Sequence, residues 1–271
     1  MGGKDMKRTF FSDKEKKNYY RKLSDNQKLE AFAEMIADAE NAVFLGGAGV
    51  STESGIPDFR SKNGLYNRKK GRFSKYRPEY LLSYECLKKE PEVFFEYYRE
   101  NMDVRNVMPN TAHLVLAGLE RSGRLSGVIT QNIDGLHQKA GSKIVQEIHG
   151  TIWGNHCVSC HKKYDASYVF DYDGPIPICE TCGKMVRPDV TLYGEFLPEE
   201  AWHNAIDLIG KADLLIIGGT SLEVGSAAQL AHMYHGKDLV IINKGKTKME
   251  GKADLVFHNS IGEILGMIWE Q

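Results

Sequence analysis

Ala42-Val43-Phe44-Leu45-Gly46-Gly47-Ala48-Gly49-Val50-Ser51 is the stretch that decides the architecture. Four apolar residues run without a polar break and then stop at glycines. Such a run reads as a parallel strand buried on both faces and followed by a tight turn. The pattern recurs at Gly127-Val128-Ile129-Thr130, at Asp213-Leu214-Leu215-Ile216-Ile217-Gly218, at Leu239-Val240-Ile241-Ile242-Asn243 and at Asp254-Leu255-Val256-Phe257. Helical stretches lie between these runs. Ahead of the first, Ser24 and Gln27 make a capping-box pair, and Leu29, Phe32, Ile36 and Ala39 share one helical face. Further helices start near Asn110, Pro198 and Glu223. Buried strands alternating with helices predict an α/β fold, a Rossmann-like doubly wound parallel sheet with helices on both faces.

Two segments interrupt the alternation. Residues 62–107 are rich in Lys, Arg, Tyr and Phe and read as loop plus short helices; residues 153–188 carry paired cysteines and little apolar periodicity. Both read as insertions that pack together as a smaller unit, one mostly helical and the other built on the paired cysteines. The sheet domain then takes residues 24–61, 108–152 and 189–271, and residues 1–23 read as a polar, mostly irregular arm.

Composition narrows the function classes. Of 271 residues 35 are basic and 36 acidic, for a net charge of -1, so no global basic field marks nucleic acid as the main partner. The N-terminal thirty residues lean basic, but acidic residues interrupt the run, as in a solvated tail. No apolar run approaches the ~18 residues of a membrane span, and the N-terminus carries no apolar signal core. The expectation is a cytoplasmic protein without a membrane partner. The oligomeric state is left open.

Four of the five cysteines form the spacing Cys157-x2-Cys160-x18-Cys179-x2-Cys182. A two-residue knuckle lets both thiolates of a pair reach one tetrahedral ion, and two knuckles complete the shell. Four thiolates leave no position for a reacting water, so the predicted zinc is structural. Cys86, the leftover, reads as a small buried hydrophobe.

The glycines after the first strand would let main chain approach a pyrophosphate and supply N–H donors. They do not match G-x-G-x-x-G, and on this feature alone a structural turn and a dinucleotide site both stay open. The run continues Thr52-Glu53-Ser54-Gly55-Ile56-Pro57-Asp58-Phe59-Arg60, and Gln131-Asn132-Ile133-Asp134, Glu147-Ile148-His149-Gly150, Gly219-Thr220-Ser221 and Asn243 follow at the ends of the other strands. Polar clusters at the carboxyl ends of parallel strands converge on one crevice.

With these motifs the chain resembles the sirtuins, the NAD-dependent protein-lysine deacylases. Residues 47–60 match the family signature without a gap, and the Gln131 to Asp134 element, His149-Gly150, the four cysteines, Gly194-Glu195, Gly219-Thr220-Ser221 and Asn243 follow in the family's order, over about residues 28 to 270. The resemblance implies that Ala48, Thr52, Phe59 and Arg60 line the phosphate and ribose side of NAD. It implies further that Gln131 touches the nicotinamide ribose, that Ile133 and Asp134 form the nicotinamide pocket, and that Thr220, Ser221, Asn243 and Ile261 hold the adenosine half. His149 is the implied catalytic base. In the family, the acyl oxygen of the substrate lysine attacks the ribose, nicotinamide leaves, and the base helps a ribose hydroxyl take over the acyl group. The products are nicotinamide, free lysine and O-acyl-ADP-ribose. An imidazole titrates near neutrality and can take a hydroxyl proton there. The other histidines read as spectators, His156 and His161 beside the cysteines included.

The chain also departs from the pattern. The tyrosine–arginine pair of family members that prefer succinyl or malonyl groups falls on Phe95 and Tyr98, with Arg99 one place off, so acetyl or other neutral acyl groups are expected. An acetylated peptide is expected as an extended strand near Tyr193-Gly194-Glu195 and Val224. Tyr193 stands where a phenylalanine is usual, and Ser226 where a proline is usual. Protein mono-ADP-ribosyl transfer from the same site is the nearest alternative, and retention of His149 weighs against it. Nucleic-acid binding by the zinc segment would need a basic segment, whereas Lys162, Lys163, Lys184 and Arg187 are balanced by Asp165, Asp171, Asp173 and Glu180.

Overall fold

The computed structural model describes residues 10–67, 71–223 and 225–269. The chain enters through helices α1 (Asp13–Tyr20) and α2 (Asp25–Asp38), then β1 (Ala42–Gly46) and the short α3 (Ala48–Ser51). Helices α4 (Pro78–Leu81), α5 (Tyr84–Lys89), α6 (Pro91–Met102) and α7 (Thr111–Arg121) lead to β2 (Gly127–Thr130), α8 (Leu136–Ala140) and β3 (Val145–Glu147). Next come β4 (Gly150–Cys157), β5 (Lys163–Asp165), α9 (Ala166–Phe170) and β6 (Val186–Val190). The chain closes with α10 (Glu199–Lys211), β7 (Leu214–Gly218), α11 (Gly225–Met233), β8 (Asp238–Ile242), β9 (Leu255–Phe257) and α12 (Ile261–Trp269).

Six strands form one parallel sheet in the order β3-β2-β1-β7-β8-β9. The chain builds outward from β1 on one side and from β7 on the other. The order therefore reverses between β1 and β7, where a doubly wound sheet opens a crevice at the carboxyl ends of its strands. Gly46 ends β1 level with Thr130 of β2 and Gly218 of β7, so the motif-bearing loops leave side by side.

Successive strand residues face opposite sides, and each side has its own core. Phe44, Val128, Ile216 and Val240 pack with Phe32 of α2, Leu116 of α7 and Leu265 of α12. Leu45, Ile129, Ile217 and Ile241 pack with Ile209 of α10 and Leu230 of α11. Each such side chain, fully buried, contributes roughly 1.5–3 kcal/mol. The continuous apolar runs of the sequence are this two-sided burial seen along the chain.

The second unit joins α4, α5 and α6 to an antiparallel sheet of order β5-β4-β6. Leu87, Phe94, Phe95 and Tyr98 share one core there with Ile152, Val186 and Leu192. Cys86 is fully buried in it, and burial pushes its thiol up to about 12.

Three stretches differ from expectation. The arm expected to be mostly irregular contains α1, capped by Ser12 accepting from the Glu15 N–H. That helix buries no side chain fully, so no apolar period betrays it; Lys16 reaches Asp238 at 2.7 Å and Asp254 at 3.0 Å and ties it to the sheet. Residues 62–107 hold the twelve-residue α6, which starts at Pro91 and whose aromatic face fills the small core. Within 153–188, β4 pairs antiparallel with β5 and with β6, and β3 is only three half-buried residues at the sheet edge.

Candidate functional site

The glycine turn after β1 is packed against the turn after β7. A Cβ on Gly49 would lie 2.7 Å from the Gly219 Cα, and one on Gly47 would lie 2.8 Å from the Thr220 Cβ. Main-chain bonds fasten the approach: Gly47 N–H donates to Gly218 O at 3.2 Å and Gly49 N–H to Gly219 O at 2.8 Å. Ala48 opens α3 behind Gly47, which offers no side-chain cap. Thr52 follows, its hydroxyl donating to Gly49 O at 2.8 Å. Gln131 leaves β2 alongside, its N–H on Gly46 O and its amide on the Thr220 hydroxyl at 3.0 Å. Ala48, Thr52, Gln131 and Thr220 thus surround one switch-point crevice.

Asp134 sits deeper and is 5% exposed. Ser51 O–H donates to its Oδ2 at 2.7 Å and Leu136 N–H to its Oδ1 at 2.9 Å. Burial raises its pKa above the ordinary aspartate value, against the pull of these hydrogen bonds. Asn132 donates in turn to Ser51 Oγ at 3.0 Å. Trp153 Nε1–H donates to Asp134 O at 2.8 Å, over Gly135, whose φ of 71° is the left-handed conformation that glycine adopts without strain.

His149 follows β3. Its Nδ1 lies 3.0 Å from Gln131 O and its Nε2 lies 3.1 Å from Ser226 Oγ. A carbonyl only accepts, so Nδ1 carries the proton and Nε2 keeps its lone pair. Burial lowers the His149 pKa, opposed by the Gln131 carbonyl. The ring is therefore a neutral base fixed in one tautomer, and it can take a proton from a hydroxyl at Nε2.

The remaining predicted residues spread along the crevice. Phe59 and Ile133 pack on the edge of the small core, Phe59 against Tyr66 with ring centroids 5.5 Å apart. Arg60 stays exposed, its guanidinium 5.8 Å from the Tyr66 ring centroid. Ser221 is exposed beyond Thr220, and Asn243 follows β8 with its amide on Gly245 O at 2.7 Å. Ile261 is given over to the core, its side chain against Gly218 and Gly219, which leaves only its main chain for a ligand.

On the expected peptide strand, Tyr193 already pairs with its own chain: its N–H donates to Leu82 O and its O accepts from Tyr84 N–H, both at 3.0 Å. Gly194 carries no main-chain hydrogen bond among the described residues. The Tyr193 hydroxyl meets that of Tyr66 at 2.6 Å. Val224 lies outside the described residues.

The four cysteines converge. Their Sγ atoms lie within 4.8 Å of one another, with Cys157–Cys182 at 3.3 Å and Cys160–Cys179 at 3.6 Å. Zinc–sulfur bonds of about 2.3 Å in a tetrahedron put sulfurs about 3.8 Å apart, so the cluster fits one structural zinc. His156 is engaged elsewhere, by Asp189, and His161 is exposed.

Residues 47–226 match the sequence pattern of the family described as Sir2 family. The chain belongs to the Sir2 family. Its relatives include a protein of Clostridium perfringens named NAD-dependent protein deacetylase, 50% identical over 244 residues that cover 90% of this chain and 99% of that one. A protein of the same name from Clostridium tetani is 50% identical over 238 residues, 88% of this chain and 96% of that one. Among solved structures, a Sir2 complex with deacetylated p53 peptide and 3'-O-acetyl ADP ribose superposes with a TM-score of 0.82 at 36% identity, covering 89% of this chain and 97% of that one. A Sir2 complex with p53 peptide and NAD+ does so at 0.78 and 35%, covering 89% and 97%.

Sequence reasoning missed four parts of this Sir2-family site. Ser51 lies inside the signature but carried no role until Asp134 was seen against it. Asn110, read only as a helix cap, also donates to Val50 O at 2.8 Å and so pins α3. Trp153 had no signal in the sequence. Ser226 was visible only as a departure from the family proline.

Proposed function

We propose that the protein removes acetyl groups from protein lysines with NAD as co-substrate, producing nicotinamide and O-acetyl-ADP-ribose. NAD supplies the carbon that accepts the acyl oxygen and a leaving group that already carries positive charge. The crevice suits a dinucleotide: main-chain N–H groups at the start of α3, amide and hydroxyl groups of Gln131, Thr220, Ser221 and Asn243, and the Asp134 carboxyl alternate along it. In this reading Ala48, Thr52 and Arg60 hold phosphate and ribose, and Thr220, Ser221, Asn243 and the main chain at Ile261 hold the adenosine half. Gln131 orients the nicotinamide ribose, and Asp134 accepts from the carboxamide while Ile133 and Phe59 exclude water.

The observation that carries the reading is the fixed tautomer of His149, with Nδ1–H on Gln131 O and the Nε2 lone pair left to accept from a hydroxyl. His149 accepts a ribose hydroxyl proton there and later returns it. The acetylated protein lies as an extended strand beside Gly194 and Glu195, a binding mode read through main chain and tolerant of sequence. The absence of a tyrosine–arginine pair on α6 favours neutral acyl groups; Phe95 and Tyr98 are buried there instead. A cytoplasmic location agrees with paired cysteines used for a metal rather than for disulfides.

The test is mass spectrometry of the products formed from NAD and an acetyl-lysine peptide. In its first turnover the parent chain forms nicotinamide and O-acetyl-ADP-ribose. His149→Ala lowers the rate roughly 10²–10⁴-fold, the usual worth of a positioned base. Deacetylation at the parent rate in that variant refutes the assignment of the base.

A further inference from the structure

The hydroxyl that meets His149 belongs to the protein. Ser226 Oγ stands 3.1 Å from Nε2, while Nδ1 is held by Gln131 O at 3.0 Å. A serine, a base that accepts its proton and a group that orients the base form the arrangement that activates a serine for attack on a carbonyl. Here a main-chain carbonyl takes the orienting part.

The surroundings fit a nucleophile. Ser226 is the second residue of α11 and is half-buried. The first N–H groups of a helix have no partner within it and can hold the oxygen on which charge develops. Gly219 (φ 60°) and Leu222 (φ 55°) both take left-handed backbone, and Leu222 is one of only two non-glycine residues that do so among the described residues. The hydroxyl is also a feature of this chain, since a proline at this position could neither donate to His149 nor attack.

We propose that Ser226 and His149 form a nucleophile–base pair that hydrolyses short-chain acyl esters, among them the ester on ADP-ribose formed in the same crevice. The choice of that last ester rests on the deacetylase reading; the pair itself does not. In the first step Ser226 Oγ bonds to the acyl carbon and its proton passes to His149 Nε2. The ester C–O bond breaks, and the departing oxygen takes that proton and leaves as a free hydroxyl. In the second step water bonds to the acyl carbon and gives a proton to Nε2, the Ser226 C–O bond breaks, and Ser226 recovers the proton as the carboxylic acid leaves.

The chain is incubated with p-nitrophenyl acetate and no NAD, and its peptides are analysed by mass spectrometry. Acetyl on the Ser226 peptide is expected, with a burst of p-nitrophenol ahead of steady turnover. Ser226→Ala loses the burst, and His149→Ala slows it roughly 10²–10⁴-fold, each with a melting curve that matches the parent. O-acetyl-ADP-ribose is expected to decay to acetate and ADP-ribose with the parent chain and to persist with Ser226→Ala. Acetyl found only on lysines or on the four cysteines, or parent-rate turnover in Ser226→Ala, overturns the proposal. Because the ester assay contains no NAD, failure of NAD-dependent deacetylation would leave this test standing. NAD-dependent deacetylation with Ser226 never acylated would refute the pair alone.

Discussion

Replacing Glu147 with glutamine should remove one pH-dependent contribution to the stability of this fold. Glu147 ends β3, two residues before His149, and its Oε1 is buried without a hydrogen-bond partner. Burial pushes the carboxyl up from 4.5 to about 7, with Asp134 adding to the rise and hydrogen bonds from Gln138 and Thr151 opposing it. Each pH unit between folded and unfolded values is worth about 1.36 kcal/mol, so the displacement corresponds to about 3 kcal/mol. The sign follows from the protons. Between 4.5 and about 7 the folded chain holds a proton that the unfolded chain has released. This contribution to stability is complete below 4.5 and lost as the pH rises through about 7. Glutamine keeps the shape and never ionises. Urea unfolding of both proteins across this range isolates the one group by difference. The expected result is equal stability near pH ~4 and an advantage for Glu147→Gln of up to about 3 kcal/mol near pH ~8. Stability curves that run parallel across the range refute the reasoning.

Cys157→Ala should lower the melting temperature and the activity together, with zinc content falling in the same preparation, because structural zinc contributes roughly 10–16 kcal/mol in small zinc folds; lost activity on an unchanged melting curve refutes a purely structural metal. Gly49→Ala forces a Cβ to within 2.7 Å of the Gly219 main chain. A cost of about 1–3 kcal/mol in thermal unfolding is expected, together with weaker NAD binding by calorimetry, and an unshifted melting temperature counts against the close approach. Since burial holds His149 below its ordinary 6.5, the rate of deacetylation should stay level from neutral pH down and fall only below 6.5. A kcat profile whose acid limb is centred above that value contradicts the assignment of a neutral buried base.

The sheet was legible because burial on both faces writes itself as unbroken apolar runs, and each of the five runs became a strand. β3 was not, because an edge strand of three half-buried residues leaves no such mark. The caps at Ser24 and Asn110 were legible because a cap is a local hydrogen bond between residues close in sequence. The links that join distant segments were not: Ser51 to Asp134 spans 83 residues and His149 to Ser226 spans 77. For the cysteines, spacing alone brought the right four together, since a two-residue knuckle constrains its own geometry. Residue types in the crevice were readable from motif order. What could not be read was which partner each residue keeps, as with Ile261, whose side chain the core takes.

The zinc unit and the base are connected more directly than separate motifs suggest. His149 lies between β3, the last strand on its side of the parallel sheet, and β4, the central strand of the zinc-bearing sheet. Both sheets hold it. Ile148 N–H donates to Thr130 O at 3.1 Å on the parallel side, and Thr191 N–H donates to His149 O at 2.9 Å on the other. Gly150 makes the turn between them at φ 76°, where a Cβ would lie 2.1 Å from Asp189 O. β4 continues from this turn to Cys157, and β6 returns from beyond Cys182 to Val190, just before Thr191. The cysteine cluster thus closes the far end of the β4–β6 pair whose near end fixes the main chain of His149. Loosening the cluster would free β6 to shift against β4 and move the His149 carbonyl with it. A metal without an open coordination position would in this way set the place of the base without entering the chemistry.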